Sequence, residues 1–401
     1  MRIWPITLFF RKLPQFLIKT KFDNERVAFF SYYYSGNAKP IYQAVIKEKL
    51  FNKPYWVLMV KDEVEKLRDK GIESYYYKDS NAIKIFLSTP IWVSTHVDEK
   101  FPVIKQKNFF EFLKFTLYYF FKIESPPEKE KRIIEMQLWH GLGFKAWRKE
   151  RKRDYLVHAD IYCFTSEHFK KVWMNQFKID PERFKMTGYA RHDLLINKNF
   201  DESLIKKQIG IEQDAKIILF APTWEQRKDN KSIYYWNFNK IEEINDFCEK
   251  NNVFFIFRTH HMQKTAYKKF DIPRLKYMPV DQYPDTISLL AVTDILITDW
   301  SSIANDYIFL NRPTIFIDTP NPFDNDFSLL PEDRAGYILK NHNEILNVLD
   351  DAIHDKNKFT DQYKQIRKKV LKKIYNKIDG KATERCINEL KLLKKKLLNK
   401  N

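Results

Sequence analysis

The stretch Asp294-Ile295-Leu296-Ile297-Thr298-Asp299-Trp300-Ser301-Ser302 decides the fold. Residues 295–297 are continuously apolar and run into the β-branched Thr298, which predicts a strand covered on both faces. Two hydroxyl residues then open a helical pattern over 302–310 that stops before Asn311-Arg312-Pro313. A buried strand running into a capped helix is half of a βαβ unit. Eight further runs read as strands, at 27–32, 56–60, 91–94, 133–138, 161–164, 217–220, 253–257 and 314–317. Helix-length amphipathic segments separate them, so the expected class is α/β with mostly parallel sheets. The polar stretch 197–213 divides the strands into two series. The expected domains are therefore 1–200 and 201–360, two Rossmann-like, doubly wound halves facing a cleft, followed by a basic helical tail at 361–401.

The chain has 401 residues with a formal net charge of +18, and 44% of its residues are hydrophobic. That length suits two or three domains of about 150 residues, and the apolar content rules out wholesale disorder. Only 8 glycines are present, and no G-x-G-x-x-G or Walker loop occurs. Any phosphate must be held another way. Cys163, Cys248 and Cys386 lie far apart in sequence and form neither a C-x-x-C pair nor a disulfide framework, as a reducing compartment predicts. The short apolar run at residues 3–10 lacks a small-residue cleavage site and is not expected to be a signal peptide. The greasiest stretch, 109–121, is broken by Glu111 and Lys114 and is shorter than the roughly 20 apolar residues of a spanning helix. It is either a lipid-contacting helix or core.

In open α/β sheets ligands bind beyond the carboxyl ends of the strands. Four unusual post-strand segments follow that rule: Gln137-Leu138-Trp139-His140-Gly141-Leu142-Gly143-Phe144-Lys145, Ala221-Pro222-Thr223-Trp224, Arg258-Thr259-His260-His261 and Thr298-Asp299-Trp300-Ser301-Ser302. Ser301 sits where a helix cap belongs, and the hydroxyls of Ser301 and Ser302 at a helix N-terminus make a glycine-free phosphate cradle. Its plain alternative is a simple cap. Asp306, four residues after Ser302, either reaches a nucleoside hydroxyl or holds the turn. His140 precedes Gly141 and Gly143, where substrate can come close, and an imidazole there accepts an alcohol proton near neutral pH. A packed histidine is the other reading. Arg258 and His260 offer cations for a diphosphate. Neither H-E-x-x-H nor carboxylate-rich metal spacing is present.

Taken together these blocks resemble the CDP-glycerol glycerophosphotransferases of teichoic-acid synthesis. The resemblance rests on Trp139-His140-Gly141 with Lys145, on Gly188-Tyr189-Ala190-Arg191-His192-Asp193, and on Ala221-Pro222-Thr223-Trp224. It also rests on Arg258-x-His260, on Asp294 to Ser302 with Asp306-Tyr307, and on Gly36-Asn37-Ala38-Lys39-Pro40-Ile41-Tyr42. It implies a GT-B architecture, with the acceptor on the first domain near Gly141 and Lys145. The CDP-activated polyol donor then lies on the second domain, near Thr223, Arg258, Ser301, Ser302 and Asp306. It further implies His140 as general base and His260 as a second essential histidine, with CMP released and no cofactor or metal required. Leu142-Gly143-Phe144-Lys145 stands where the family usually carries Thr-Pro-Leu-Lys, and Glu225 where it often carries Arg, with Arg227 or Lys228 nearby. Segment 318–323 with Arg334-Ala335-Gly336 departs as well, leaving the transferred polyol open.

From Lys364 onward 14 Lys and Arg face 3 Asp and Glu. Ile387, Leu390, Leu393 and Leu397 recur at helical spacing, so this tail either binds an anionic membrane or packs back on the domains. The expected location is cytoplasmic, peripheral on the inner face of the plasma membrane, where a lipid-linked glycan or teichoic-acid-like acceptor is met. The rival reading is a GT-B glycosyltransferase using a nucleotide sugar for capsule or surface polysaccharide. A nucleic-acid binder is disfavoured because the aromatics fall in apolar segments and are not interleaved with basic residues.

Overall fold

The computed structural model describes residues 23–79, 82, 85, 88–96, 134–145, 159–177, 179–223, 241–259, 272–320 and 327–399. The first sheet has seven strands: β1 (Arg26–Ser31), β2 (Lys53–Leu58), β3 (Ser74–Tyr76), β4 (Ile91–Ser94), β5 (Ile134–Gln137), β6 (Ile161–Cys163) and β7 (Phe184–Lys185). Their order is β3-β2-β1-β4-β5-β6-β7. The second has six: β8 (Lys216–Phe220), β9 (Val253–Phe257), β10 (Leu275–Tyr277), β11 (Ile295–Thr298), β12 (Thr314–Ile317) and β13 (Tyr337–Leu339), ordered β10-β9-β8-β11-β12-β13. Every strand pairing is parallel.

All nine strands expected from apolar runs form. The four that the runs did not predict, β3, β7, β10 and β13, are the edges of the two sheets. An edge strand of two or three residues, half-exposed like Leu275-Lys276-Tyr277, has no continuous apolar run to betray it.

Each sheet reverses its winding direction once, between β1 and β4 and between β8 and β11. A crevice opens at such a switch point because the connections on its two sides leave in opposite directions. Beside the first switch lies helix α1 (Ala38–Lys47), which buries Ala38, Ile41, Tyr42 and Val45 at three- and four-residue spacing and carries Pro40 in its first turn. The second domain supplies α2 (Thr286–Val292) and α3 (Ile303–Tyr307), the latter continued by a short 3₁₀ turn to Leu310 and closed by Asn311 in the left-handed conformation.

Two C-terminal helices follow, α4 (Lys364–Ile374) and α5 (Ala382–Leu398). The apolar stripe of α5 is spent inside the first domain. Cys386, Ile387, Leu390, Leu393 and Leu397 join Val27, Ile41, Trp56 and Val93 in one core. Its N-terminus is capped by Asp193, whose carboxylate accepts from the Ala382 and Thr383 amides at 2.9 and 2.7 Å. The region expected as a basic tail therefore includes a helix integral to domain one. Packing back has an energetic cause: burying five apolar side chains outweighs leaving the stripe in solvent. The segment 109–121 lies outside the described residues.

Candidate active site

A cleft of about 260 Å³ lies between the sheets and is lined from both switch points. Ser31 ends β1 and Tyr32 and Tyr33 follow it, and Thr95 and His96 follow β4. Across from them, Ala221 and Pro222 follow β8, and Ser301 and Ser302 follow β11. His140, Arg191, Arg258 and Asp306 also face it.

The β5 strand delivers His140 through an unusual turn. Trp139 has a φ of 58°, a conformation bulky residues rarely adopt. It is held there by hydrogen bonds on every side. Its amide donates to Gln137 Oε1 at 2.8 Å, its indole N–H donates to the Gly141 carbonyl at 2.7 Å, and its carbonyl accepts from Asn37 Nδ2 at 2.9 Å. Strain so over-determined is the kind found where a side chain must be aimed. The Trp139 side chain is fully buried while the next residue, His140, is exposed in the cleft wall.

The loop beyond His140 belongs physically to the other domain. Asn305 Nδ2 donates to the Leu142 carbonyl at 3.0 Å, and the Ser328 amide donates to the Phe144 carbonyl at 2.8 Å. Phe144 packs edge-on against Trp300, with centroids 5.9 Å apart. Gly143 makes this approach possible, since a Cβ there would lie 2.7 Å from Ser302 Cβ and 3.1 Å from Ser302 Cα. The loop that follows His140 and the paired serines are thus fixed in one body.

Arg191 ties the lobes beneath the cleft. Its Nη1 donates to the His140 carbonyl at 2.7 Å and its Nη2 to Asp306 Oδ1 at 2.7 Å. The same carboxylate oxygen lies 2.6 Å from His192 Nε2. Burial pushes the Asp306 carboxyl up, but the Arg191 charge and the His192 hydrogen bond outweigh it, and the net shift is below the ordinary carboxylate range. Burial lowers His192, only partly offset by Asp306. A second link joins Lys39 of α1 to Asp285, the N-cap of α2, at 2.5 Å.

Arg258 is the group best suited to an anion. It is buried, its Nη2 donates to Thr286 Oγ1 at 2.7 Å, and among the described residues its Nη1 has no hydrogen-bond partner. Burial lowers it to about 10, which leaves it cationic at neutral pH. A buried guanidinium that lines a cleft offers an anion a charge little screened by water.

The structure brings together His140, Arg258, Ser301, Ser302 and Asp306. Gly141 sits at the same junction, where a Cβ would lie 3.5 Å from Ser302 Oγ. Thr223 is placed otherwise: its amide and hydroxyl both donate to Asp299 Oδ1, at 2.8 and 2.7 Å, so it braces the β8 and β11 ends. Lys145 does not line the cleft; its backbone bridges to Phe327. Asp306 faces the cleft with Oδ1 already committed to the clasp. Ser301 Oγ accepts from the Ile303 amide at 3.4 Å, but the N-cap is Ser302, one residue later than expected, and its side chain makes no cap hydrogen bond. His260 lies outside the described residues, as do Trp224, Glu225, Arg227 and Lys228.

Four site residues were not assigned roles from sequence: Asn37, His96, Arg191 and His192. His96 was findable, because it follows a strand just as His140 does. The others lie in segments 36–42 and 188–193, whose function as a junction is visible only when α5 and Asp306 arrive from more than 100 residues away.

A family model described as CDP-glycerol:poly(glycerophosphate) glycerophosphotransferase matches residues 13–392. The teichoic acid glycerol-phosphate transferase of Staphylococcus aureus (strain NCTC 8325 / PS 47) is 26% identical over 295 residues, 64% of this chain and 71% of that protein. The teichoic acid poly(glycerol phosphate) polymerase of Bacillus spizizenii (strain ATCC 23059 / NRRL B-14472 / W23) is 32% identical over 224 residues, 47% of this chain and 52% of that one. A structure of a variant of the wall teichoic acid polymerase TagF superposes with a TM-score of 0.75 at 20% identity, covering 99% of this chain and 97% of the other. That likeness establishes the expected GT-B fold. Matched over nearly its whole length, the chain belongs to the CDP-glycerol:poly(glycerophosphate) glycerophosphotransferase family.

Proposed function

We propose that the protein transfers glycerol phosphate, or a closely related polyol phosphate, from a CDP-activated donor to a hydroxyl of a teichoic-acid-like acceptor and releases CMP. The observation that carries this reading is a single cleft that receives the buried guanidinium of Arg258 from one lobe and His140 from the other. A diphosphate lying against Arg258 and the Ser301–Ser302 turn would present its polyol phosphorus toward His140. The acceptor hydroxyl attacks that phosphorus in line and gives its proton to the His140 imidazole. The new O–P bond forms as the bond to CMP breaks, and the electron pair leaves with CMP. Developing charge on the phosphoryl oxygens is met by Arg258 and the serine hydroxyls, preorganised electrostatics that lower the barrier without rearrangement.

The reading calls on no metal ion, so turnover should persist in excess EDTA. The acceptor is proposed to be lipid-linked and met at an anionic membrane surface, with the basic helices oriented toward it. Among the described residues no helix is long and apolar enough to cross a membrane. ³¹P NMR with CDP-glycerol and a teichoic-acid-like acceptor tests the reaction: a new phosphodiester signal together with CMP supports it. UDP released from a UDP-sugar would assign a glycosyltransferase instead. His140→Ala should abolish CMP release while donor binding survives, and near-normal turnover in that variant would remove His140 from the mechanism.

A further inference from the structure

We propose that His96 is a positioning residue for His140, the two imidazoles forming a stacked pair that shares a single proton near neutral pH. The proposal rests on His140 acting as the general base. The rings lie 4.6 Å apart between centroids with 2° between their planes, one following β4 and the other β5. Adjacent parallel strands therefore deliver both histidines to the same wall of the cleft.

His96 is itself fixed. Thr95 Oγ1 lies 2.8 Å from its Nδ1, and the edge of the Tyr32 ring meets it at 4.6 Å and 81°. Thr95 Oγ1 also meets Ser31 Oγ at 3.0 Å, so His96 stands at the end of a hydroxyl chain that begins on β1. The ring is thus held face-on to His140 by a chain of hydrogen bonds from β1.

Two imidazolium rings stacked at this separation repel. At an effective dielectric between those of a protein surface and water, the second proton binds with a pKa lower by roughly one to two units. The pair then titrates in two steps, and the second falls below the pH at which an isolated imidazole would be half protonated. Among the described residues the other charged side chains lining the cleft are Arg191, Arg258 and Asp306, with Tyr32 and Tyr33 as its phenols. Arg191 and Asp306 pair with each other, and the face of the His96 ring meets that of His140. Keeping His140 neutral is what a base requires, and holding its ring plane keeps the accepting nitrogen aimed.

The test uses the full chain with His96→Phe, which keeps a flat ring and removes the charge, and His96→Gln, which keeps a polar partner for Thr95. CMP release is measured against pH, and the His140 ring is titrated by NMR without substrate. With His96→Phe the acidic limb of kcat should move up by about one pH unit, KM for the donor should change less than twofold, and the NMR titration should move equally. His96→Gln should move the limb the same way and lower kcat about tenfold by freeing the ring. An unchanged limb and unchanged titration in both variants would overturn the proposal. Should no CDP-polyol support turnover, the NMR titration still decides: a shifted His140 keeps the pair and rejects the transferase reading, and an unshifted one rejects the pair.

Discussion

Gly143 shows how a single hydrogen atom fixes a two-domain site. With Ser302 backbone 3.1 Å from where a Cβ would stand, no rotamer change relieves the contact, and the loop carrying His140 must move away from the serines. Gly143→Ala is therefore expected to reduce kcat/KM for CMP release at least tenfold and to lower thermal stability as well, because Leu142 and Phe144 on either side of it belong to the core that the two domains share. The Asp306 clasp makes a different demand, on pH. His192 is held neutral by burial, so its folded-state pKa lies below its unfolded one, and its contribution to stability is present above about pH 6.5 and lost as pH falls through the lowered value. Asp306 works in the same direction lower down, its contribution disappearing below the ordinary carboxylate value of 3.8. Urea midpoints should fall between pH 7 and pH 5, and His192→Gln should flatten that part of the curve. A midpoint in the native protein that is constant from pH 7 to pH 5 would contradict the assignment.

At the level of elements, α5 is the segment whose sequence and structure differ most in meaning. Its spacing of Ile387, Leu390, Leu393 and Leu397 declares an amphipathic helix, yet nothing local says whether lipid or protein covers the stripe. The answer came from Asp193, which caps it, and from Gly188, where a Cβ would lie 3.1 Å from Ala382. Leu390 is fully buried in the first domain, so Leu390→Ala should cost about 2–5 kcal/mol in chemical denaturation, whereas exposed Lys395→Ala should be near neutral. The interior strands were legible because burial on both faces forces continuous apolar runs. The edge strands were not, for the converse reason. In the site, position after a strand found His140, Arg258 and the serines. Thr223 passed the same filter and proved to be a brace for Asp299, because distance from a strand end does not reveal which way a hydroxyl is committed. Arg191 escaped because its partners, the His140 carbonyl and Asp306, are separated from it by 51 and 115 positions in the chain.

Across the whole molecule, two sheets with the same winding face each other through their switch points, and the lobes are joined beneath the cleft by buried contacts. Trp139, Leu142 and Phe144 from the first domain share one core with Trp300, Ala304 and Phe316 from the second and Val370 and Ile374 of α4. With its apolar residues turned inward, α4 displays Lys364, Lys368 and Lys372 on an exposed face, beside a shallow groove that includes Leu371 and Ile378. Steps of four residues put those three lysines in one row. The stripe of α5 being spent on the core, the proposed attraction of these two helices to a membrane rests on such charge and not on their apolar residues. Each lysine near anionic lipid contributes about 1 kcal/mol, so Lys364→Gln, Lys368→Gln and Lys372→Gln together should weaken binding to phosphatidylserine vesicles roughly 100-fold at physiological salt. Added salt should release the native protein, as screening shortens the reach of the row. Turnover of a soluble acceptor should be unaffected, since none of the three lines the cleft. Vesicle binding that resists both the triple substitution and high salt would place the membrane contact on another surface of the molecule.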